Sequence, residues 1–284
     1  MNIQRTHKVN WLDVFWTGMI WFMAGLCLFL PFMLVVDILY RGLPSLTLNF
    51  LWDDPMSAGR EGGIYSIIIS TFWVLLVCFL VVIPIGLGSA LYLSECVKLN
   101  SKRGQIIRLS LRILSSVPSI VFGLFGYAMF AIYLKMGFSI LSGGLSLACM
   151  VLPLFILISE QAFQAVPIAY KQSSLALNIS QGAYMVKILL PMSSSGVVSA
   201  LIISIGRALA ETAVLIYTAG YVTRMPGTLY DSGRVLSVHI YDLSMNVIGG
   251  QQNAATTAAF LLILLILLNV LARRVSHRLT RYAR

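Results

Sequence analysis

Apolar residues in this chain come in long unbroken runs, without the two-residue or seven-residue alternation of half-buried strands and surface helices. The runs fall at about 15–39, 64–93, 108–134, 142–160, 192–220 and 254–272. A helix rising 1.5 Å per residue needs about 20 residues to cross a hydrocarbon core of roughly 30 Å, so each run predicts one membrane-spanning helix. The first run is too long for a cleavable leader and continues through Pro31, Phe32 and Met33, so it is read as a retained helix.

The polar residues between the runs set the topology. Of the twenty Lys and Arg, fourteen lie at one set of ends: Arg5 and Lys8, then Lys98, Lys102, Arg103, Arg108 and Arg112, then Lys171 and Lys187, and a last group from Arg273 to Arg284. Five lie at the other set (Arg41, Arg60, Lys135, Arg224, Arg234), and Arg207 alone is inside a run. Basic residues gather on the cytoplasmic side of membrane proteins, so both termini are expected there. The composition agrees: 58% hydrophobic and 11% charged, against roughly a quarter charged for soluble domains. The net charge of +10 is spread over short inter-span segments with no interleaved aromatics, which argues for a lipid-bilayer partner and against nucleic acid. The four cysteines (Cys27, Cys78, Cys96, Cys149) have no CxxC pairing and no metal-ligand spacing, and are read as small buried hydrophobes.

The fold class that follows is an all-α polytopic transmembrane bundle of about six spans. Its organisation is a cytoplasmic N-terminus (1–14), a first span (15–39), a transmembrane domain (62–272) with an internal cytoplasmic loop (164–191), and a basic cytoplasmic tail (273–284). Gly-Gly pairs at 62–63, 143–144 and 249–250 precede the three spans that run from outside inward, an echo of repeated hairpins or simply tight turns. The long outer loop at 221–253 carries "RVLSVHIYDLSMNVI", which predicts a short surface or re-entrant helix, either a docking face or a packing plug over the bundle. Asp37 and Glu160, near span ends, are expected to be solvated, and Asn269 to act between helices.

The loop "VPIAYKQSSLALNISQGAYMVKILLP" has prolines at 167 and 191 around helix-forming residues that break near 178–182. It predicts a short helix, a turn and a second helix on the inner membrane face. Its pattern resembles the cytoplasmic loop of the permease subunits of ABC importers, E-A-A, three residues, G, nine residues, I-x-L-P. On this chain the positions are Gln172, Ser173, Ser174, Asn178, Ile188, Leu190 and Pro191. Asn is, after Gly, the residue that most readily takes the left-handed conformation a helix–helix turn needs. The resemblance makes these seven the residues that couple to an ATPase, with Gln172 replacing the family's acidic contact. The alternative is a generic amphipathic surface helix.

Span five contains "GRALAETAVL". A charge near a helix centre costs roughly 2.5–3.5 kcal/mol on insertion scales and usually faces a bundle interior or wet cavity. Arg207 and Glu211 are four apart, which on one helix puts them on one face as a possible ion pair. Either the pair is structural and fixes the rotation of span five, or Arg207 lines a path for an oxyanion while Glu211 limits how tightly it holds. Guanidinium and phosphate match through parallel charge-assisted hydrogen bonds. Ser115, Ser116 and Ser119 flank Pro118, where a freed backbone could expose amides to an anion, although serines beside a proline more often satisfy local backbone.

Together with "SSVPSIVFGLFGY" (115–127), "IPIGLGSALYLSE" (83–95) and "GGIYSIIISTFWVLL" (62–76), the span-five motif is similar to the phosphate-specific ABC permeases of the PstA kind, from Gly62 to the last span. Ala210 stands where that family's motif has a second Gly. The resemblance implies the type I importer permease fold and phosphate passage past Arg207, Glu211, Thr212 and Ser119. It implies a homologous PstC-like permease, a PstB-like ATPase dimer and an extracytoplasmic PstS-like phosphate-binding protein as partners, in the bacterial inner membrane. No GxxxxGK[ST] phosphate loop occurs in the chain, so no cofactor is expected on it, and ATP and Mg would be used by the partner ATPase. Phosphonate, molybdate or sulfate permeases are the near alternatives, an ion-coupled transporter working alone is a more distant one, and a structural anchor is the most remote.

Overall fold

The computed structural model describes residues 11–98 and 101–282. Arg5 and Lys8 therefore lie outside the described residues. Among the described residues four helices are long and apolar enough to span a membrane: α1 (Trp11–Gly42), α3 (Tyr65–Glu95), α6 (Ile140–Gln164) and α13 (Gln251–Tyr282). These correspond to the first, second, fourth and sixth apolar runs. Two further candidates are helix pairs bent by more than 40° at a short break, which brings the number of passes to six if each bent pair is one span.

The third run is interrupted, contrary to the single helix expected over 108–134. It forms α4 (Lys102–Ser116) and α5 (Ser119–Gly126), the latter continued by a π-turn over Tyr127–Tyr133, with a bend of 92° between the halves. Pro118 is the cause: it has no N–H to extend the ladder, and its ring drives Val117 into an extended conformation (ψ 134°).

The fifth run also departs from a continuous span over 192–220. After α7 (Ile168–Ala176), a second helical stretch comprises α8 (Gln181–Tyr184), a π-turn (Met185–Leu189) and α9 (Leu190–Met192). This stretch meets α10 (Ser194–Leu209) at 70°. Pro191 removes a ladder donor, and the Ser193 hydroxyl donates to the Leu189 carbonyl at 2.7 Å where the axis turns. α10 stops at Leu209, and one short turn, α11 (Ala213–Ile216), follows a three-residue gap.

The centre of the fold is α6 packed along α3. Gly144 in the first turn of α6 permits this, because a methyl there would overlap Val77 and approach the Val74 carbonyl. Gly143 and Gly144 are therefore helical packing positions inside α6, whereas Gly62–Gly63 and Gly249–Gly250 do precede α3 and α13. Val74, Val77, Cys78, Leu147, Val151 and Phe155 form the core with Val214 and Leu215 of α11. α5 packs against α11 and α6 through Gly126, whose missing side chain leaves room for Ser146 and the Thr218 methyl. The sequence motifs around Pro118 and Arg207 thus belong to one contact. α1 stands apart with its apolar side chains exposed, leaning on α13 where Gly42 meets Ala255 and Ala259. That is what a lipid-facing helix requires. Of the cysteines, Cys78 is buried and Cys149 partly so, but Cys27 and Cys96 are exposed, and all four are free thiols.

The far end of the bundle, opposite α7, is capped. α2 (Leu48–Trp52), started by the Thr47 side chain, leads into a two-stranded hairpin, β1 (Pro55–Met56) with β2 (Glu61–Gly62). The hairpin is closed by three consecutive positive-φ residues, Ser57, Ala58 and Gly59. Over it lies α12 (Leu236–Met245), with Leu236, Val238, His239, Asp242 and Leu243 buried. The segment expected as a docking face or a plug packs as a plug.

Candidate functional site

Arg207 sits in the last turn of α10, half-buried, and its Nη2 reaches the Ser115 carbonyl of α4 at 3.5 Å. It therefore lies where the break of span three faces the end of span five. Ser115 and Ser116 donate their hydroxyls to the Arg112 and Ile113 carbonyls at 2.8 Å, so both serve the local backbone. Ser119 opens α5, whose first amides have no intrahelical acceptor.

Glu211 does not share a helix face with Arg207, as the four-residue spacing had suggested. The helix ends two residues before it, and no ion pair joins the two among the described residues. The Glu211 amide bends back to Ala208 (3.3 Å), and its carbonyl accepts the Ser237 hydroxyl of α12 at 2.6 Å. A tertiary partner thus takes the carbonyl that would have continued the ladder. Thr212 precedes α11 in the same gap. Ala210 has ordinary helical angles (φ −81°) and is exposed, so its methyl crowds nothing in this chain.

The loop residues form a second group. α7 begins after Pro167, turns at Asn178 with φ 54°, and is followed by the second helical stretch. The asparagine takes the left-handed position expected of it. Ile188, Leu189 and Leu190 pack with Leu93, Ile156 and Phe163, which anchors the second stretch in the bundle, while Pro191 is exposed. On α7, Gln172 and Ser173 are exposed and Ser174 is buried with its hydroxyl on the Lys171 carbonyl. Apolar side chains there face outward: Ile168 is 71% exposed, Leu175 68% and Leu177 73%. A packed loop would hide them.

Two buried ion pairs and one half-buried pair were not foreseen. Glu160, expected to be solvated, is 3% exposed and accepts Arg108 Nε at 2.7 Å and Gln164 at 2.9 Å. Arg108 also donates to the Leu93 carbonyl. Glu95 pairs with Lys171 at 2.7 Å. Arg234 pairs with Asp242 at 2.9 Å and reaches the Tyr221 and Ala58 carbonyls, so it clamps the hairpin to α12. Arg108 and Glu160 signalled their pair as charges beside or within an apolar run with no opposite charge within four residues, whereas Arg234 has Asp231 and Glu95 has Lys98 three positions away. Asp37, by contrast, is half-exposed and pairs with Arg41. Asn269 bonds its own helix at Leu265, contrary to an interhelical role within this chain.

In the cap, His239 is fully buried with its Nδ1 3.5 Å from Arg234 and its ring against Gly59. Burial first, then the Arg234 charge, push its pKa down to about 4, with Asp242 opposing. The group gains its proton more readily when unfolded, near 6.5, so stability is full above that pH and falls as pH drops toward 4, by up to about 1.4 kcal/mol per unit. Thermal unfolding of the purified protein in detergent is expected to show a midpoint falling across this window, and His239→Gln is expected to flatten the fall.

A bundle of four to six helical passes, with two bent helix pairs meeting at an arginine and a short helix pair at one end, is the architecture of a polytopic membrane protein, and its class follows from its relatives. The chain belongs to the family of binding-protein-dependent transport system inner membrane components, whose model matches residues 82–281. It is 29% identical over 239 residues to the probable ABC transporter permease protein YqgI of Bacillus subtilis (strain 168), covering 78% of this chain and 81% of that one. It is 32% identical over 200 residues to the phosphate transport system permease protein PstA 2 of Mycobacterium bovis, covering 70% of this chain and 65% of that one, just under two thirds of the relative's length. The PstA of Haemophilus influenzae matches at 27% over 216 residues, 76% of this chain and 74% of that one. Among solved structures, a bacterial alginate ABC transporter chain aligns with TM-score 0.62 at 16% identity over 96% of each chain. A chain of the inward-facing MetNI methionine ABC transporter aligns with TM-score 0.57 at 20% identity, covering 76% of this chain and 94% of that one. The fold is that of ABC importer permeases.

Proposed function

We propose that the chain is the membrane permease subunit of an ATP-driven phosphate importer and forms half of its translocation path. The observation that carries this reading is Arg207, in the last turn of α10, reaching the Ser115 carbonyl in the last turn of α4, beside the break of span three. A guanidinium with no carboxylate partner offers its planar fork to an oxyanion, and broken backbone within a span is tolerated where it is buried in protein or lines a cavity. The PstA relatives support phosphate as that oxyanion. Ser119 and Thr212 border the same junction, one on each broken span.

The other half of the path comes from a homologous, PstC-like permease. The exposed apolar face of α7, with Gln172 and Ser173 beside it, Ser174 behind it and Asn178 at the turn after it, receives a PstB-like ATPase dimer on the cytoplasmic side of the bacterial inner membrane, while Ile188 and Leu190 root the following stretch ahead of the exposed Pro191. ATP and Mg are used there, and this chain is a transport subunit with no catalysis of its own. A PstS-like binding protein delivers phosphate from outside and sets the selectivity. Closure of the ATPases moves α7 and rocks the bundle between inward and outward openings.

The reading is tested by labelled phosphate uptake in cells whose only phosphate importer contains this chain. Excess unlabelled phosphate is expected to dilute uptake, sulfate, molybdate and phosphonate to leave it unchanged, and ATP depletion to stop it. Competition by another oxyanion would reassign the substrate, and uptake driven by an ion gradient without ATP would overturn the importer class.

A further inference from the structure

A helix moves a bundle through what joins the two, and α7, which follows α6 after the three-residue link 165–167, has little side-chain packing of its own against the bundle. Of its side chains only Ser174 is buried, and that hydroxyl is satisfied within α7 itself. Behind the helix lies a cleft of about 690 Å³ lined by residues including Glu95, Gln164, Pro167, Lys171 and Tyr184. Where a cleft separates two elements, packing carries no force between them. Among the described residues one side-chain ion pair bridges the cleft from α7: Lys171 Nζ lies 2.7 Å from Glu95 Oε2, and the Glu95 side chain is 7% exposed against 38% for Lys171.

Glu95 is the last residue of α3, the helix on which α6 packs. Two residues back, the Leu93 carbonyl accepts Arg108 Nη2 of α4 at 3.0 Å, and the same guanidinium holds Glu160 of α6. The final turn of α3 is thus tied by charge to α4, α6 and α7 together. A push delivered at Lys171 arrives at the one place from which three bundle helices are gripped.

We propose that the Glu95–Lys171 ion pair is the link by which displacement of α7 reaches α3 and the bundle, making both residues positioning residues for transport. This rests on the reading that α7 receives the ATPase. Loss of the pair leaves the exposed face of α7 in place, so ATPase can still dock and turn over while the bundle no longer follows. The expected signature is uncoupling.

The test uses the whole transporter, both permeases with ATPase and binding protein, in liposomes, and reads phosphate moved per ATP hydrolysed. Glu95→Gln and Lys171→Gln are each expected to lower that ratio on the order of tenfold, the effect of losing about 1.4 kcal/mol of coupling. ATP hydrolysis should persist. Lys171→Arg, which keeps the charge, and the exchange Glu95→Lys with Lys171→Glu are expected to restore the ratio. The proposal is overturned if the single variants keep the wild-type ratio, or if hydrolysis and transport fall together without rescue by Lys171→Arg. Should the exchanged pair not assemble, the contrast between Lys171→Arg and Lys171→Gln decides. A photo-reactive side chain at Gln172 separates the premises: no cross-link to the ATPase sinks the docking reading, whereas a cross-link with an unchanged ratio sinks only the link.

Discussion

Arg207→Ala is expected to lower phosphate uptake by about 100-fold at equal membrane abundance, as for two charge-assisted hydrogen bonds of about 1.5 kcal/mol each removed from the passing anion. The magnitude follows from what surrounds the guanidinium. Its one hydrogen bond in this chain is long, 3.5 Å to the Ser115 carbonyl, and no carboxylate pairs with it among the described residues. Its donors are therefore free for cargo to a degree that those of the paired Arg108 and Arg234 are not. Arg207→Lys keeps the charge and loses the planar fork, so an intermediate loss of roughly tenfold is expected. Glu211→Gln separates two roles. If the carboxylate weakens the hold on the anion through the field rather than by direct pairing, its loss lowers the maximal rate and the half-saturating concentration together. Uptake kinetics over a range of phosphate concentrations read both. Wild-type uptake in Arg207→Ala would remove the path role altogether.

How much of this was legible in the sequence depends on the range of the interaction that decides each feature. Runs of apolar residues are local, and α1, α3, α6 and α13 were placed from them to within a few residues at most ends. The left-handed Asn178 was legible too, because a turn needs a residue of that kind between two helical stretches. The break at Pro118 was half legible: the proline was visible, but the hydropathy of the run concealed a turn of 92°. The end of α10 was not legible. "GRALAETAVL" is good helix sequence, yet the helix ends at Leu209, where the Glu211 amide turns back to Ala208 and the Ser237 hydroxyl, 26 residues away, takes the Glu211 carbonyl. Only a helix continued through Glu211 would have made the four-residue spacing from Arg207 a shared face. The buried ion pairs failed for the same reason. Glu160 reads as a span-end charge until folding brings Arg108 to it from 52 residues away.

That pair carries the second large effect. Glu160→Ala is expected to destabilise the folded permease by about 3–5 kcal/mol, because it strands the Arg108 guanidinium where water cannot reach it. Both side chains are almost wholly buried, 11% and 4% exposed, and Arg108 Nη1 already has no hydrogen-bond partner, so little reserve exists to absorb the loss. Gln164 would lose its acceptor as well. Glu160→Gln keeps an oxygen for Arg108 and is expected to cost less than half as much. Replacing both ends by apolar residues, Arg108→Met with Glu160→Leu, removes the stranded charge and is expected to recover most of the stability, since a buried pair rarely exceeds a well-packed apolar substitute. Thermal unfolding of the three variants in detergent ranks them. The same double variant severs the charge ties from α4 to α6 and to the end of α3, so a protein that is stable yet transports poorly would show the pair serving motion more than stability. Equal destabilisation by Glu160→Ala and the double variant would mean instead that the attraction itself, and not the stranded charge, holds α4 to α6.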